Sequence, residues 1–299
     1  MKHHISVFLL LLFLLASPRI YAQVTSNVFE RVLDIRVNAG TPHEETATAF
    51  TVDVDGREYL MTAKHVVQGL KDEDTIDIFM NEAWIPLAVK IFRCDDPTDI
   101  AVLIPPHQLT VNFGLPFDKM NVEFGQDVYF LGFPYGIQST AQGVNGPYPL
   151  AIIKRGIFSG SVVLDKTKKS TLMLLDGYNN PGFSGAPIVY RDLNQGGVVM
   201  KLAGVVSGFV PEVVPVMKQN DIKSPLDASD AAKQQPWKIQ RRTNGTYFEY
   251  VENGTYVSLN TGIVRGFFIG PAIDLIRLHA VGPEVKDLPG NQPNLTGNH

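Results

Sequence analysis

Cysteine is nearly absent: Cys94 is the only one in a chain of 299 residues. A single thiol excludes an intrachain disulfide, so the fold must rest on core packing. With no histidine near it in sequence, Cys94 reads as a small buried apolar side chain rather than a catalyst. Excess positive charge is absent too. There are 26 lysines and arginines against 30 aspartates and glutamates, a formal net charge of -4, and nothing in that balance points to nucleic acid. Membrane-length apolar runs are also lacking. The run Ile5 to Ala16 has 12 residues, short of the roughly 20 needed to span a bilayer.

That run has another reading. Lys2 precedes it, Ser17 and Pro18 follow it, and a cleavage site fits after Ala22, the pattern of a secretory signal peptide over residues 1–22. The expected product is secreted or periplasmic, with no stable membrane association after cleavage. It retains five histidines, His43, His65, His107, His279 and His299.

The whole chain is 44% hydrophobic and 19% charged, enough to bury a sizeable core. Short apolar runs separated by Gly, Pro, Asn and Asp predict an all-β fold. The expected strands are Val32 to Val37, Ala49 to Val54, Tyr59 to Thr62, Ile76 to Phe79, Leu87 to Ile91 and Ile100 to Ile104. A second set comprises Asp127 to Gly132, Ala151 to Phe158, Gly160 to Val163, Leu172 to Leu175, Ile188 to Tyr190, Leu202 to Ser207 and Ile263 to Ile269. Two sets of about six predict two packed barrels. The proline-rich stretch Pro105 to Phe117 divides them, giving units 23–116 and 117–281. Residues 211–261 form an insertion in the second, polar and irregular at first. Within it Glu252-Asn253-Gly254 separates two strand-like runs and predicts a hairpin with a type I′ turn. Pro271 opens a short C-terminal helix, Ala272 to Ala280, expected on the second barrel. Residues 282–299, with three prolines and three glycines, read as a tail.

Three stretches carry chemistry. Ser184 lies between Gly182 and Gly185, in a turn that lets the amides of Gly182 and Ser184 converge on one point. His65 ends a short turn after the run Tyr59 to Thr62. Asp99 stands directly before the apolar run Ile100 to Ile104, where a carboxylate can be desolvated against an imidazole. A serine hydroxyl needs a neutral imidazole to accept its proton and a carboxylate to orient that imidazole. Asp95 and Asp96 read as turn residues around Pro97.

Thr62-Ala63-Lys64-His65-Val66-Val67, Asp99-Ile100-Ala101-Val102-Leu103, Gly125-Gln126-Asp127-Val128, Asp176 to Pro187 and Gly266 to Pro271 together resemble the trypsin-like serine peptidase superfamily. The likeness is nearest to its HtrA-like exported bacterial branch, without a PDZ domain. The resemblance implies two six-stranded antiparallel barrels, a cleft between them and peptide-bond hydrolysis through an acyl-enzyme. It implies no cofactor and no metal. It assigns His65, Asp99 and Ser184 to catalysis, and the Gly182 and Ser184 amides to an oxyanion hole. The chain departs from the pattern at Phe183, where an acidic residue would let a newly cut N-terminus activate the enzyme, and at Ala186.

The primary pocket is expected to take its walls from Tyr178, Ser207, Gly208 and Phe209. Uncharged Tyr178 suggests a shallow apolar pocket for a peptide or protein substrate. The insertion leaves from that strand, and either covers the cleft or decorates the surface. Two rival readings stand beside the peptidase. One is a catalytically silent or partner-gated binding protein on the same fold. The other treats 182–186 as an α/β-hydrolase elbow with His279 as base. The oligomeric state is not legible.

Overall fold

The computed structural model describes residues 24–111, 114–117, 121–139, 146–192 and 199–286. The signal peptide read over 1–22 and the tail beyond 286 lie outside the described residues.

Seven strands form the first sheet: β1 (Val32–Val37), β2 (Glu45–Val54), β3 (Arg57–Thr62), β4 (Thr75–Met80), β5 (Ala83–Ala88), β6 (Lys90–Arg93) and β7 (Ala101–Ile104). Their order is β5-β4-β1-β2-β3-β7-β6. The two edge strands are consecutive in the chain, separated only by Val89. They are one bent segment, pairing with β4 in its first half and with β7 in its second, so the sheet rolls into a six-stranded barrel.

The second sheet holds β8 (Asp127–Gly132), β9 (Ile152–Asp165), β10 (Ser170–Asp176), β11 (Pro187–Asp192), β12 (Val199–Ile222), β13 (Ile239–Arg241) and β14 (Tyr247–Phe268). A direct β10–β14 pairing closes six of them into a second barrel, leaving β13 outside. The expected break between Phe158 and Gly160 is a bulge at Ser159 within continuous β9.

The apolar runs are continuous because both strand faces are buried. In β1, β2 and β3, Leu33, Ile35, Ala47, Ala49 and Leu60 fill the first barrel. Their neighbours Val32, Phe50, Val52, Tyr59 and Met61 face outward into a second layer. There they meet Tyr129, Leu131, Val189, Leu202 and Phe267 from the other barrel. Inside that barrel lie Phe130, Phe158, Phe183, Ile188 and Val206. Cys94 is buried in the layer between barrels, and burial pushes its thiol up to about 12, as expected for an inert side chain.

Three local expectations are corrected. First, the chain does not reverse at Asn253-Gly254. It runs straight through β14, while the supposedly irregular start of the insertion is the distal half of β12, and these two strands pair as far as Ile222 and Tyr247. The arm is a hairpin of other strands. Gly254 keeps the positive φ of 81° that its sequence announced, but where the register shifts opposite Pro215 and Met217. A bulge and a turn make the same local demand. Second, the C-terminal helix, Gly270–Leu278, packs against β2 and β7 of the first barrel. Its apolar face, Ala272, Ile273 and Ile276, joins the layer between barrels. Third, residues 282–286 are not free. The Pro283 carbonyl accepts from Glu58 N–H at 2.9 Å, and Val285 N–H donates to Gly56 at 2.9 Å.

Candidate active site

His65 lies in a short 3₁₀ turn, Lys64–Val67, just beyond β3; Asp99 precedes β7; Ser184 precedes β11. The first two belong to one barrel and the third to the other, and the structure brings all three together. Ser184 Oγ is 3.0 Å from His65 Nε2. On the far side of the ring, Nδ1 is 2.7 Å from Asp99 Oδ2. Asp99 Oδ1 accepts from the His65 backbone N–H at 2.9 Å, fixing the carboxylate plane. Ser207, expected to line the pocket, donates its hydroxyl to Asp99 Oδ2 at 2.6 Å.

These contacts set the charges. Burial works to lower the His65 pKa, but the hydrogen bond and charge of Asp99, with Glu45 adding, hold it above the ordinary value against the opposing charge of Arg265. Burial works to raise Asp99, but its bonds to His65 and Ser207 hold it below the usual carboxylate range. The carboxylate therefore stays ionised, and an Nδ1–H tautomer leaves Nε2 to accept from Ser184.

The turn before Ser184 is built tightly. Gly182 has φ of 98° and Gly185 has φ of 87°. A Cβ on Gly182 would stand 2.2 Å from the Phe133 carbonyl, and one on Gly185 would stand 2.1 Å from that of Thr48. Neither position admits a side chain. The amides of Gly182 and Ser184 donate to no acceptor among the described residues, so both stay free for a ligand oxygen. Phe183 turns inward: it is fully buried, edge-on to Phe130 at 5.3 Å. Its apolar side chain fits because it completes the second barrel's core.

Contacts that sequence reasoning missed hold this turn. Thr48 Oγ1 donates to the Gly182 carbonyl at 2.7 Å, and Thr48 N–H donates to that of Ser184 at 3.0 Å. Tyr135 N–H donates to Pro181 at 2.9 Å. Lys154 Nζ donates to the Tyr178 carbonyl at 2.7 Å and to Asn180 Oδ1. None of these has a local signature.

A cavity of about 550 Å³ opens beside Ser184, lined by Glu44, Glu45 and Thr46 of the first barrel, by Tyr135, and by Asn179 to Gly182, Gly208 and Phe209. Its lining includes two carboxylates and is more polar than Tyr178 alone suggested. Of the four residues expected to wall the primary pocket, Gly208 and Phe209 line this cavity, whereas Tyr178 and Ser207 do not. No residue of 211–261 lines it either. His279 stacks on Phe92 at 4.5 Å, at the end of the C-terminal helix, and His65 is the imidazole bonded to Ser184. Among the described residues no cluster of His, Cys, Asp or Glu could hold a metal.

A histidine, an aspartate and a serine meeting between two β-barrels define a class of hydrolase. Residues 47–199 match the trypsin-like peptidase domain family, and that span is more than half of the chain. The chain belongs to this family and is a trypsin-like serine peptidase. The match ends before the arm begins. Among solved structures the chain is similar to the Rv3671c protease from M. tuberculosis in its active form, with 21% identity, 61% of this chain and 72% of that chain covered, and a TM-score of 0.41. For the inactive form of that protease the values are 22%, 61%, 80% and 0.42. No curated protein matches.

Proposed function

We propose that the protein is an exported serine endopeptidase in which Ser184 is the nucleophile, His65 the general base and acid, and Asp99 the group that orients His65. The observation that carries this reading is the unbroken line Asp99–His65–Ser184, with spacings of 2.7 and 3.0 Å. The free amides of Gly182 and Ser184 support it. As Ser184 Oγ bonds to the scissile carbonyl carbon, its proton passes to His65 Nε2. The carbonyl oxygen becomes an oxyanion facing the two amides. His65 then returns the proton to the amide nitrogen, the C–N bond breaks, and the acyl group remains as an ester on Ser184. Water then bonds to the acyl carbon as His65 takes its proton, the ester C–O bond breaks, and His65 returns that proton to Ser184 Oγ as the acid product leaves.

Substrate recognition fits the same frame. β11 pairs with β12 only as far as Val205, so Ser207, Gly208 and Phe209 offer a strand edge beside Ser184 to an extended peptide. Pro211 has no N–H and limits that edge. Tyr178, adjacent in sequence to the lining residue Asn179 and 56% exposed, stays a candidate wall.

The test is labelling with a fluorophosphonate probe at pH 8, using the wild type, Ser184→Ala and His65→Ala. Labelling of the wild type alone is expected. A folded wild type that does not react would replace this reading with a silent or partner-gated binding protein. Export is tested separately, by the N-terminal sequence of the mature protein, expected at Gln23.

A further inference from the structure

The nucleophile turn is anchored from two sides, and the second anchor is a lysine with no carboxylate partner among the described residues. Lys154 lies on β9 directly opposite Phe130 of β8, and opposed residues in an antiparallel pair share a face. Phe130 belongs to the interior of the second barrel, so the side chain of Lys154 starts on the inner face. On that face of β9 it stands between Ile152, which packs on the core, and buried Phe158. An ammonium there is not surface decoration.

Its partners all belong to the segment that leads into the turn. Nζ donates to the Tyr178 carbonyl at 2.7 Å and to Asn180 Oδ1. It also sits 5.2 Å from the ring centroid of Phe183 and 5.5 Å from that of Tyr178, within cation–π range. Residues 178, 180 and 183 therefore share one cation, and Gly182 lies inside the segment they delimit. The Asn180 carbonyl in turn accepts from Phe183 N–H at 3.2 Å. Gly182 has the freedom to rotate its peptide, and losing the Asn180 and Phe183 contacts would release it. Of the titratable groups around it, Tyr178 lies under Nζ, Tyr135 places its hydroxyl 3.5 Å from Asn180 Nδ2, and Glu44 and Glu45 line the same cavity as Asn180. Burial holds Lys154 below the ordinary lysine range, which fits an ammonium held by dipoles and ring faces.

We propose that Lys154 is a positioning residue for the oxyanion hole, a half-buried cation that clamps Tyr178, Asn180 and Phe183 so that the Gly182 amide faces the substrate. It touches no reacting atom. The inference rests on the endopeptidase reading and adds that the clamp is built into β9, so the turn is set without a charged N-terminus delivered by cleavage.

The experiment measures kcat, KM and fluorophosphonate labelling rate between pH 6 and 11 for the wild type, Lys154→Met, Lys154→Arg and Ser184→Ala. Lys154→Met should lower kcat and the labelling rate roughly 10- to 100-fold, with KM within about twofold. The wild type should lose activity at alkaline pH as Lys154 deprotonates. Lys154→Arg should recover at least part of kcat and lose that alkaline limb, because a guanidinium stays charged. If Lys154→Met does not fold, the alkaline limbs of wild type and Lys154→Arg decide alone, and identical limbs overturn the clamp. Wild-type kcat and an unchanged alkaline limb in Lys154→Met would overturn the clamp while leaving Ser184 as nucleophile. A wild type as inert as Ser184→Ala would overturn both.

Discussion

Thr48 Oγ1, on the first barrel, donates to the carbonyl of Gly182, on the second, across 2.7 Å of the layer between them. The same oxygen accepts from Phe133 N–H at 3.2 Å. One buried hydroxyl thus fixes both the turn that presents Ser184 and the segment leading to Tyr135. Thr48→Val keeps the shape and removes both bonds, leaving two buried backbone groups unpaired at about 1–3 kcal/mol each. It should lower Tm and reduce kcat about tenfold, whereas Thr48→Ser should retain most of both. Wild-type kcat in Thr48→Val would remove Thr48 from the account of the turn.

Activity requires neutral His65, so it should fall as pH drops through the His65 pKa, which lies above the ordinary 6.5. Glu45 raises that pKa and Arg265 lowers it. Glu45→Gln should therefore move the acid midpoint of kcat/KM down, and Arg265→Gln should move it up, each by roughly 0.2–0.5 units at low salt. Both side chains are exposed, and 1 M salt should erase most of either shift. Profiles of the two variants that move in the same direction would contradict the charge arrangement.

Asp34 is fully buried on β1, and its carboxyl is pushed up to about 7 by burial, with only Gln138 Nε2, at 2.7 Å, opposing. Its Oδ1 has no partner among the described residues. In the unfolded chain it titrates near 3.9. Between these values the folded state binds the extra proton, so this group costs stability as pH rises from about 4 to 7. Asp34→Asn should flatten that slope and gain up to about 3 kcal/mol at pH 8. Thermal melts at pH 5 and pH 8 measure it, and equal differences from wild type at both would refute the assignment.

Arg31 is fully buried and paired with Asp53, Nη2 to Oδ2 at 2.5 Å. Removing the acid takes away its paired carboxylate and leaves the buried guanidinium with weaker partners, Thr51 Oγ1 and the Val111 carbonyl, each at 3.4 Å. Asp53→Ala should destabilise by about 3–5 kcal/mol, read by urea denaturation. Far from Ser184, it should leave KM of the folded fraction unchanged.

The sequence made some of this legible and not the rest, for a physical reason. Val32 to Val37 and Asp127 to Gly132 were readable as strands because composition and breaker residues mark them locally. His65, Asp99 and Ser184 were readable because each sits at the end of such a run, with glycines flanking Ser184. Thr48 was not, since its bond to Gly182 joins residues 134 apart and an internal threonine announces nothing. Lys154 carries no signal of its own within the expected strand Ala151 to Phe158, and only the register places it opposite Phe130. The course of β14 escaped for a related reason. Asn253-Gly254 states only that φ is positive at the glycine, and pairing with β12 decides whether the chain reverses or bulges.

The return of the chain to its starting barrel has one more consequence. After β14 the helix Gly270–Leu278 lies on β2 and β7, Pro283 bonds to Glu58 of β3, and Val285 bonds to Gly56 in the turn between β2 and β3. The polypeptide therefore passes between the barrels twice, once between β7 and β8 and once after β14. Cut at the first crossing, the two fragments would still be tied through this second attachment and the shared apolar layer. The barrels are then not separable modules but complementing halves. Residues 270–286 act as a splint between the barrel that carries His65 and the barrel that carries Ser184.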